Sequence, residues 1–301
     1  MDSSSKSGII FSADTLIASS VILFHSLSSQ KISMASFKLS DSDLEYLVAL
    51  ADKAGTAIMG IYHNHDAFNM RQAIKIDKSP LTQADLLANQ ILCDGLKKRW
   101  PDTLVLSEEG ADYFEVDEEP TNYWAIDPLD GTKEFNNRNG EFTVNIALIY
   151  LGSPIFGLVF APALDSLYIG YAHSKKTSIA KKRSNRHWQK ISVSKENLLN
   201  IKREVRIASS RSHPSTELES WLEQYPNHKL LEIGSSLKFC YIAEGKVDLY
   251  PRLGKTNIWD TAAGHAVVLA AGGVVRDINR SDLSYRKPGL STNPFFLAAN
   301  R

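Results

Sequence analysis

Apolar residues recur at intervals of three and four in the first strongly patterned part of the chain. Over residues 40–62 this spacing predicts an amphipathic helix with one buried stripe. Ser40, with Asp43 three positions later, resembles a capping box at its start. A second helix is predicted from about Thr82 to Arg99, because Pro101 does not allow it to continue.

The pattern changes to strand-like runs from Tyr123 onward. Residues 123–126 predict a short apolar strand that ends at Asp127, where Pro128 breaks it. Gly- and Pro-containing segments separate the runs that follow, which predicts an antiparallel meander over Phe142–Tyr150, Ile155–Phe160 and Ser166–Tyr171. The basic segment 173–190 is interpreted as a solvated hairpin or loop, with a nucleic-acid patch as the alternative.

The second half of the chain alternates strands with helices. Strands are predicted at Glu204–Ala208, Lys229–Ile233, Val247–Tyr250, Val274–Ile278 and Phe295–Ala299. Helices are predicted at Ser215–Gln224, Ser236–Glu244 and Trp259–Ala271. We therefore expect an α+β protein in which sheets are layered with helices in two fused subdomains, at 36–175 and 176–301, after a weakly ordered appendage at 1–35.

Composition and charge exclude some classes of protein. Lys+Arg and Asp+Glu both number 34, so the net charge is zero, which argues against a dedicated nucleic-acid binder. The two cysteines form no metal-binding motif and suggest a reducing compartment. No apolar run is long enough for an integral membrane segment, and residues 15–24 lack the flanks of a signal peptide. The expected location is the cytoplasm, with peripheral association at the inner membrane left open.

Acidic residues stand out by their context. Glu108 and Glu109 follow the apolar strand 104–106, and the other candidates lie in the segments PLTQAD (Asp85), WAIDPLDGT (Asp127 and Asp130) and IWDTAAG (Asp260). Carboxylates gathered in one cleft repel one another by about 4 kcal/mol per pair at about 4 Å and an effective dielectric near 20. They stay ionised together only if a cation neutralises them, and an all-oxygen set favours Mg²⁺ over Zn²⁺.

Each acid also has a simpler interpretation. Asp85 could cap its helix together with Thr82, and Asp260 could be the N-cap of the helix that it opens. Glu108 and Glu109 could be surface acids, and the Asp-Pro and Asp-Gly pairs could form an ordinary turn. The combination favours a metal site, because every acid is placed at a strand end or a helix start, where functional groups gather in layered folds.

The segments SEEG, WAIDPLDGT and WDTAAG, in this order and spacing, resemble the lithium-sensitive, magnesium-dependent phosphatase superfamily. That superfamily includes inositol monophosphatases, fructose-1,6-bisphosphatases and 3'(2'),5'-bisphosphate nucleotidases, and the resemblance covers about residues 36–299. It implies a layered α/β/α/β/α sugar-phosphatase fold. DPLDGTKEF (127–135) and ASSRSH (208–213) are most similar to the bacterial nucleotidases of the superfamily.

The resemblance implies roles for individual residues. One Mg²⁺ would be held by Glu108, Asp127 and the carbonyl of Leu129, a second by Asp127, Asp130 and Asp260, with two or three ions in all. Asp85 and Thr132 match positions that orient or deprotonate the attacking water. The amides of Gly131 and Thr132 would bind the phosphate. The resemblance to nucleotide-binding positions is weaker and covers His213, Ser235, Lys238 and Arg252.

The resemblance implies that the protein hydrolyses adenosine 3',5'-bisphosphate to AMP and phosphate. The reaction would clear this bisphosphate, which is a by-product of sulfate activation and sulfotransfer. An inositol monophosphatase or sugar bisphosphatase on the same metal cage is the alternative. A non-catalytic nucleotide or phosphoinositide sensor is an alternative of another class. The partners expected are a small phosphate ester and no nucleic acid, in a monomer or homodimer.

Overall fold

The computed structural model describes residues 38–64, 80–110, 114–115, 117–174, 177–196, 203–211 and 216–300. The appendage predicted at 1–35 lies outside these ranges. Within them, no helix is both long and apolar enough to cross a membrane.

Two long helices precede the first sheet: α1 (Asp41–His63) and α2 (Pro80–Arg99). The predicted capping box of α1 is confirmed, because the Asp43 N–H donates to Ser40 Oγ at 3.2 Å and the Ser40 N–H donates to Asp43 Oδ2 at 2.9 Å. Helix α2 begins before Thr82. Asp85 therefore lies beyond its first turn, and the capping role predicted for Asp85 is wrong.

The first sheet has seven strands in chain order. They are β1 (Val105–Ser107), β2 (Asn122–Asp130), β3 (Thr143–Tyr150), β4 (Ser153–Ala161), β5 (Ser166–Ser174), β6 (Thr177–Ser184) and β7 (His187–Lys190). Strand β1 is parallel to β2 and all other neighbours are antiparallel, which confirms the predicted meander. A short helix, α3 (Thr132–Asn136), connects β2 to β3.

The basic segment forms the β6–β7 hairpin, as interpreted from its sequence. Because this hairpin extends the first sheet to Lys190, the boundary predicted at 175/176 would separate strands of one sheet. The division into two subdomains stays a prediction.

The second sheet has five strands in the order β11-β12-β10-β8-β9. Its strands are β8 (Val205–Ser210), β9 (His228–Ile233), β10 (Leu249–Arg252), β11 (Val274–Asp277) and β12 (Phe296–Ala299). The helices of this half are α4 (Thr216–Leu222), α5 (Leu237–Ala243) and α6 (Ile258–Ala270). Every strand and helix predicted in this half is present, within a few residues of its expected bounds.

Strands β2–β5 of the first sheet are buried on both faces, which explains their nearly continuous apolar sequences, whereas β7 is exposed. In β2, Trp124 and Ile126 pack in the core shared with α1 and α2, whereas Tyr123 and Ala125 pack in the core shared with α5, α6 and the second sheet. A third cluster lies between the second sheet and Trp221 of α4. The order of layers is α/β/α/β/α, which confirms the fold expected from the resemblance.

Candidate metal centre

Asp127 and Asp130 come together because β2 contains a bulge. Asp127 pairs with Asn145 and Asp130 pairs with Thr143, so three steps along β2 match two steps along β3. In a regular strand, residues three apart point to opposite faces, and the extra residue of a bulge corrects this. The strand thus continues through Pro128 to Asp130, and the expectation that it ends at Asp127 is wrong.

Glu108 and Asp260 reach the same place from two other elements. Glu108 directly follows β1, and its N–H donates to the Ile126 carbonyl at 3.3 Å. Asp260 lies in the first turn of α6, where its Oδ2 accepts a hydrogen bond from the N–H of Asn257 at 2.7 Å. Asn257 is therefore the N-cap of α6, and the N-cap role considered for Asp260 is wrong.

Three of these carboxylates form a group that fits a metal ion. One oxygen each from Glu108, Asp127 and Asp260 lies within 4.8 Å of the other two. Oxygens bound to a common Mg²⁺ at 2.0–2.1 Å lie at most about 4 Å apart, so a small closure makes them ligands. Carboxylates without histidine or cysteine are the set that Mg²⁺ prefers.

Asp130 lies in the same cleft with its carboxylate partly engaged by the protein. Its Oδ2 accepts a hydrogen bond from Asn145 Nδ2 at 3.3 Å and lies 3.4 Å from Thr143 Oγ1, whose single hydrogen goes to the nearer Asn145 Oδ1. Leu129 also lines the cleft, and its N–H donates to Asp127 Oδ1 at 3.0 Å. The structure thus brings together all five residues predicted to bind metal.

The pKa values of the cleft carboxyls show how poorly their charges are balanced. Burial, followed by repulsion from Asp130, Glu108, Asp260 and Asp85, raises the pKa of Asp127 well above its ordinary value. Burial and then Asp130 raise the pKa of Asp260 to about 7. These carboxylates need a cation from solution to be fully ionised at neutral pH.

Asp85 lies behind this group on α2. Its side chain is buried, and its Oδ1 has no hydrogen-bond partner among the described residues. Burial, then repulsion from Glu109 and Glu108, raises the pKa of Asp85 to about 8. A buried carboxyl next to two other acids can hold a proton or share a cation near neutral pH.

The metal candidates line one side of a cleft of about 210 Å³. The residues predicted to bind the phosphate and nucleotide line the same cleft: Gly131, Thr132, Ser235, Lys238 and Arg252. Gly131 has a φ of +96°, and a Cβ there would collide with Ser235 Oγ. Ser235 Oγ in turn donates to the Asp130 carbonyl at 2.9 Å. Glycine is thus required where the chain leaves β2 for α3.

Two cations line the same cleft, and their charges act on the acids: Lys238 on Asp130 and Arg252 on Asp260. Lys238 is buried, its Nζ donates to the Ser235 carbonyl at 2.7 Å and to the Ile233 carbonyl at 3.2 Å, and burial lowers its pKa to about 8. Arg252 Nη2 donates to the Lys255 carbonyl at 2.9 Å. His213, the remaining nucleotide-binding candidate, lies outside the described residues.

Sequence reasoning missed several residues around the centre. Asn145, Ser236 and Tyr250 are buried beside the acids or line the cleft. A signal existed for Asn145, since it is an amide inside the apolar run of β3. Ser236 and Tyr250 stand in ordinary contexts and carried no such signal.

Comparison with known proteins gives matches over nearly the whole described fold. Residues 40–299 match the inositol monophosphatase family. The chain is 45% identical over 254 residues to the 3'(2'),5'-bisphosphate nucleotidase CysQ of Salmonella typhimurium, covering 84% of this chain and 98% of that protein. Identity to the protein of the same name from Escherichia coli strain K12 is 44%, with the same coverage.

Solved structures agree with these matches. A crystal structure of CysQ from Bacteroides thetaiotaomicron, a bacterial member of the inositol monophosphatase family, superposes with a TM-score of 0.71 at 35% identity, covering 86% of this chain and 98% of that one. Inositol monophosphatase II of Staphylococcus aureus superposes with a TM-score of 0.67 at 21% identity, covering 86% and 89%, and shows the shared fold.

Proposed function

The chain belongs to the inositol monophosphatase family, and from this premise we propose that it hydrolyses adenosine 3',5'-bisphosphate to AMP and inorganic phosphate. The reaction is magnesium-dependent, as is general for the family. The observation that carries the proposal is the convergence of Glu108, Asp127 and Asp260 within 4.8 Å, on the wall of a cleft that also holds Lys238 and Arg252.

The acids provide places for two Mg²⁺ ions, and for a third if Asp85 and Glu109 take part. Glu108, Asp127 and the Leu129 carbonyl would hold one ion, and Asp127, Asp130 and Asp260 would hold the other. When bound, Mg²⁺ lowers the pKa of water and offsets negative charge on the phosphate and on the leaving oxygen.

Protein groups supply the remaining steps. N–H groups in the first turn of a helix lack partners within the helix, so those of Gly131 and Thr132 bind the phosphate at the start of α3. The Thr132 hydroxyl orients the attacking water, and Asp85 accepts its proton as the new P–O bond forms. The bond from phosphorus to the 3' oxygen breaks, and that oxygen takes a proton from solvent.

The substrate class follows from the cations and from the relatives. A bisphosphate carries a second phosphate that a monophosphate lacks, and Arg252 and Lys238, which line the same cleft, supply positive charge for it. Ser235 and His213 complete the nucleotide side of the proposal. The relatives with 44–45% identity carry the name of this nucleotidase. We place the reaction in the cytoplasm, on a monomer or homodimer.

A phosphate-release panel tests the assignment. Adenosine 3',5'-bisphosphate, inositol 1-phosphate and fructose 1,6-bisphosphate are compared at equal concentration, with Mg²⁺ and with EDTA. We expect Mg²⁺-dependent turnover with a clear preference for the bisphosphate nucleotide. A preference for the inositol or sugar ester transfers the chain to that branch of the family. Tight nucleotide binding without any phosphate release is the result expected of a sensor.

A further inference from the structure

A chain of buried hydrogen bonds connects the two acids assigned to the second ion. Asn145 Nδ2 donates to Asp130 Oδ2 at 3.3 Å and to Ser236 Oγ at 3.0 Å. Ser236 Oγ then donates to the main-chain carbonyl of Asp260 at 2.9 Å. Asn145 and Ser236 are almost completely buried, at 0% and 1% exposure, so water does not compete for these bonds.

The hydrogen-bond partners of Asn145 and Ser236 fix how each side chain is oriented. The two amide hydrogens of Asn145 go to Asp130 and Ser236, while its Oδ1 accepts from Thr143 Oγ1 at 3.0 Å. The flipped amide would set an oxygen against the Asp130 carboxylate, so the orientation is fixed. The Ser236 hydroxyl lies against both acids, because its single hydrogen is within reach of the Asp260 carbonyl at 2.9 Å and of the Asp130 carboxylate.

This hydrogen-bond chain connects three elements that are far apart in the sequence. Asn145 is on β3 of the first sheet, Ser236 precedes α5, and Asp260 is in the first turn of α6. The carboxylates of Asp130 and Asp260 repel each other, so bringing them together costs electrostatic free energy. The hydrogen bonds through Asn145 and Ser236 hold the two sides together before a cation arrives, in addition to the packing of α6 on β2 and β3.

We propose that Asn145 and Ser236 are positioning residues for the second metal site, fixing Asp130 on β2 and the start of α6 at the separation at which one Mg²⁺ binds both acids. This inference rests on the proposed function. It adds a specific consequence: breaking this hydrogen-bond chain lowers the affinity for the ion assigned to Asp130 and Asp260 more than the affinity for the other ion, because neither Glu108 nor the Leu129 carbonyl bonds to Asn145 or Ser236 among the described contacts. Groups that orient metal ligands contribute roughly 10–100-fold to metal affinity.

The test is calorimetric titration of the intact protein with Mg²⁺ alone, without substrate. For Ser236→Ala we expect the affinity of one class of site to fall about tenfold, with a clearly smaller loss at the other class. The Mg²⁺ concentration that half-saturates phosphate release rises by a similar factor, and turnover recovers at high Mg²⁺. Asn145→Ser interrupts the same chain at its other member and should give the same pattern, including where Ser236→Ala folds poorly.

Ser166→Ala is the matched control. Ser166 is also buried, and its Oγ donates to a main-chain carbonyl, that of Leu164, at 3.2 Å, away from the cleft. It should lose comparable stability with native Mg²⁺ affinity. Native affinity in both test variants, or equal losses in the control, overturns the proposal. A wild-type protein that binds no Mg²⁺ instead overturns the proposed function, so the two failures are distinguishable.

Discussion

Asp127 and Asp248 are both buried carboxylates, with 1% and 0% exposure, yet their surroundings are opposite. Asp248 accepts paired hydrogen bonds from Arg203 at 2.8 and 2.9 Å and from Arg206 at 2.8 and 3.0 Å. Burial alone would raise the pKa of Asp248, but these arginines hold it well below its usual range. Asp127 has acids as neighbours, and burial together with their charges raises its pKa.

The difference separates a carboxylate that serves the fold from one that serves chemistry. At Asp248 the chain supplies its own cations, so the charge is balanced as soon as the protein folds. At Asp127 the chain supplies more negative charge, which costs folding energy unless a cation arrives from solution. Burial is therefore a poor guide to role, and the sign of the nearest charges is a good one.

Replacing Asp127 should have the largest effect on activity. Asp127→Asn keeps the shape but removes a ligand shared by both proposed ions, so we expect turnover of the bisphosphate to fall by at least about 100-fold, beyond the upper range for groups that only orient ligands. The free energy of unfolding in EDTA should not decrease, since an unbalanced charge is lost. Phosphate release and urea denaturation check both expectations. Turnover within tenfold of wild type contradicts the metal cage.

Asp248→Asn should show the reverse behaviour. Two arginines lose their charged partner, and we expect a loss of about 2–3 kcal/mol in the free energy of unfolding. Both arginines are partly exposed and regain some hydration, which keeps the loss below that of a fully buried pair. Mg²⁺ affinity and turnover of the folded protein should stay at wild-type values. An unchanged denaturation midpoint would show that the ion pairs contribute nothing net.

The two sites also differ in what the sequence reveals. The acids of the cleft lie in short segments with turn-forming neighbours, such as DPLDGT, and this made them predictable. The bulge that aligns Asp127 with Asp130 was not predictable, because it depends on the register with β3. Asp248 shows no local signal, since Arg206 reaches it from β8 and Arg203 from the segment just before β8.

Long apolar segments gave reliable elements for a related reason. Strands that are buried on both faces, such as β3 and β4, need apolar side chains at almost every position, so their bounds could be predicted from the sequence. The interpretation of a helix end was wrong where single hydrogen bonds decide it, because Asn257 rather than Asp260 caps α6. The hydrogen bond between Asn145 and Ser236 could be found only in the structure, because the two residues lie 91 positions apart in the sequence.

Arginines extend the comparison. Arg203 is fully engaged with Asp248 and Glu196, whereas Arg252 lines the cleft, and its buried Nε has no hydrogen-bond partner among the described residues. For Arg252→Ala we expect the KM for adenosine 3',5'-bisphosphate to rise roughly tenfold, the range for a hydrogen bond to a charged group, and the KM for a monophosphate to change less.

Arg276→Ala is the control for Arg252. Arg276 lies on β11, is ion-paired with Asp282 and does not line the cleft. Steady-state kinetics on both substrates should give wild-type KM values for it. Equal changes in KM for the bisphosphate and the monophosphate in Arg252→Ala would remove Arg252 from the second-phosphate site.

The smallest expected effect is on the free energy of unfolding between about pH 8 and pH 7. The pKa of Asp85 is raised to about 8 and that of Asp260 to about 7, so the folded protein binds protons here that the unfolded chain does not. Stability in EDTA should therefore rise as the pH falls through this window. The gain is about 1 kcal/mol for one net proton, and Lys238, with its pKa lowered to about 8, opposes it only in part.

Asp248 contributes nothing to this slope. A depressed carboxyl pKa gives stability that is complete above the unfolded value near 4 and is lost only as the pH falls below it. Asp248→Asn should therefore keep the wild-type slope, and Asp127→Asn should reduce it. Saturating Mg²⁺ should abolish it, because bound metal requires ionised carboxylates. Urea denaturation at each pH measures the slope, and metal-free stability that is flat or increases toward pH 8 would mean that the cleft acids are balanced without a cation.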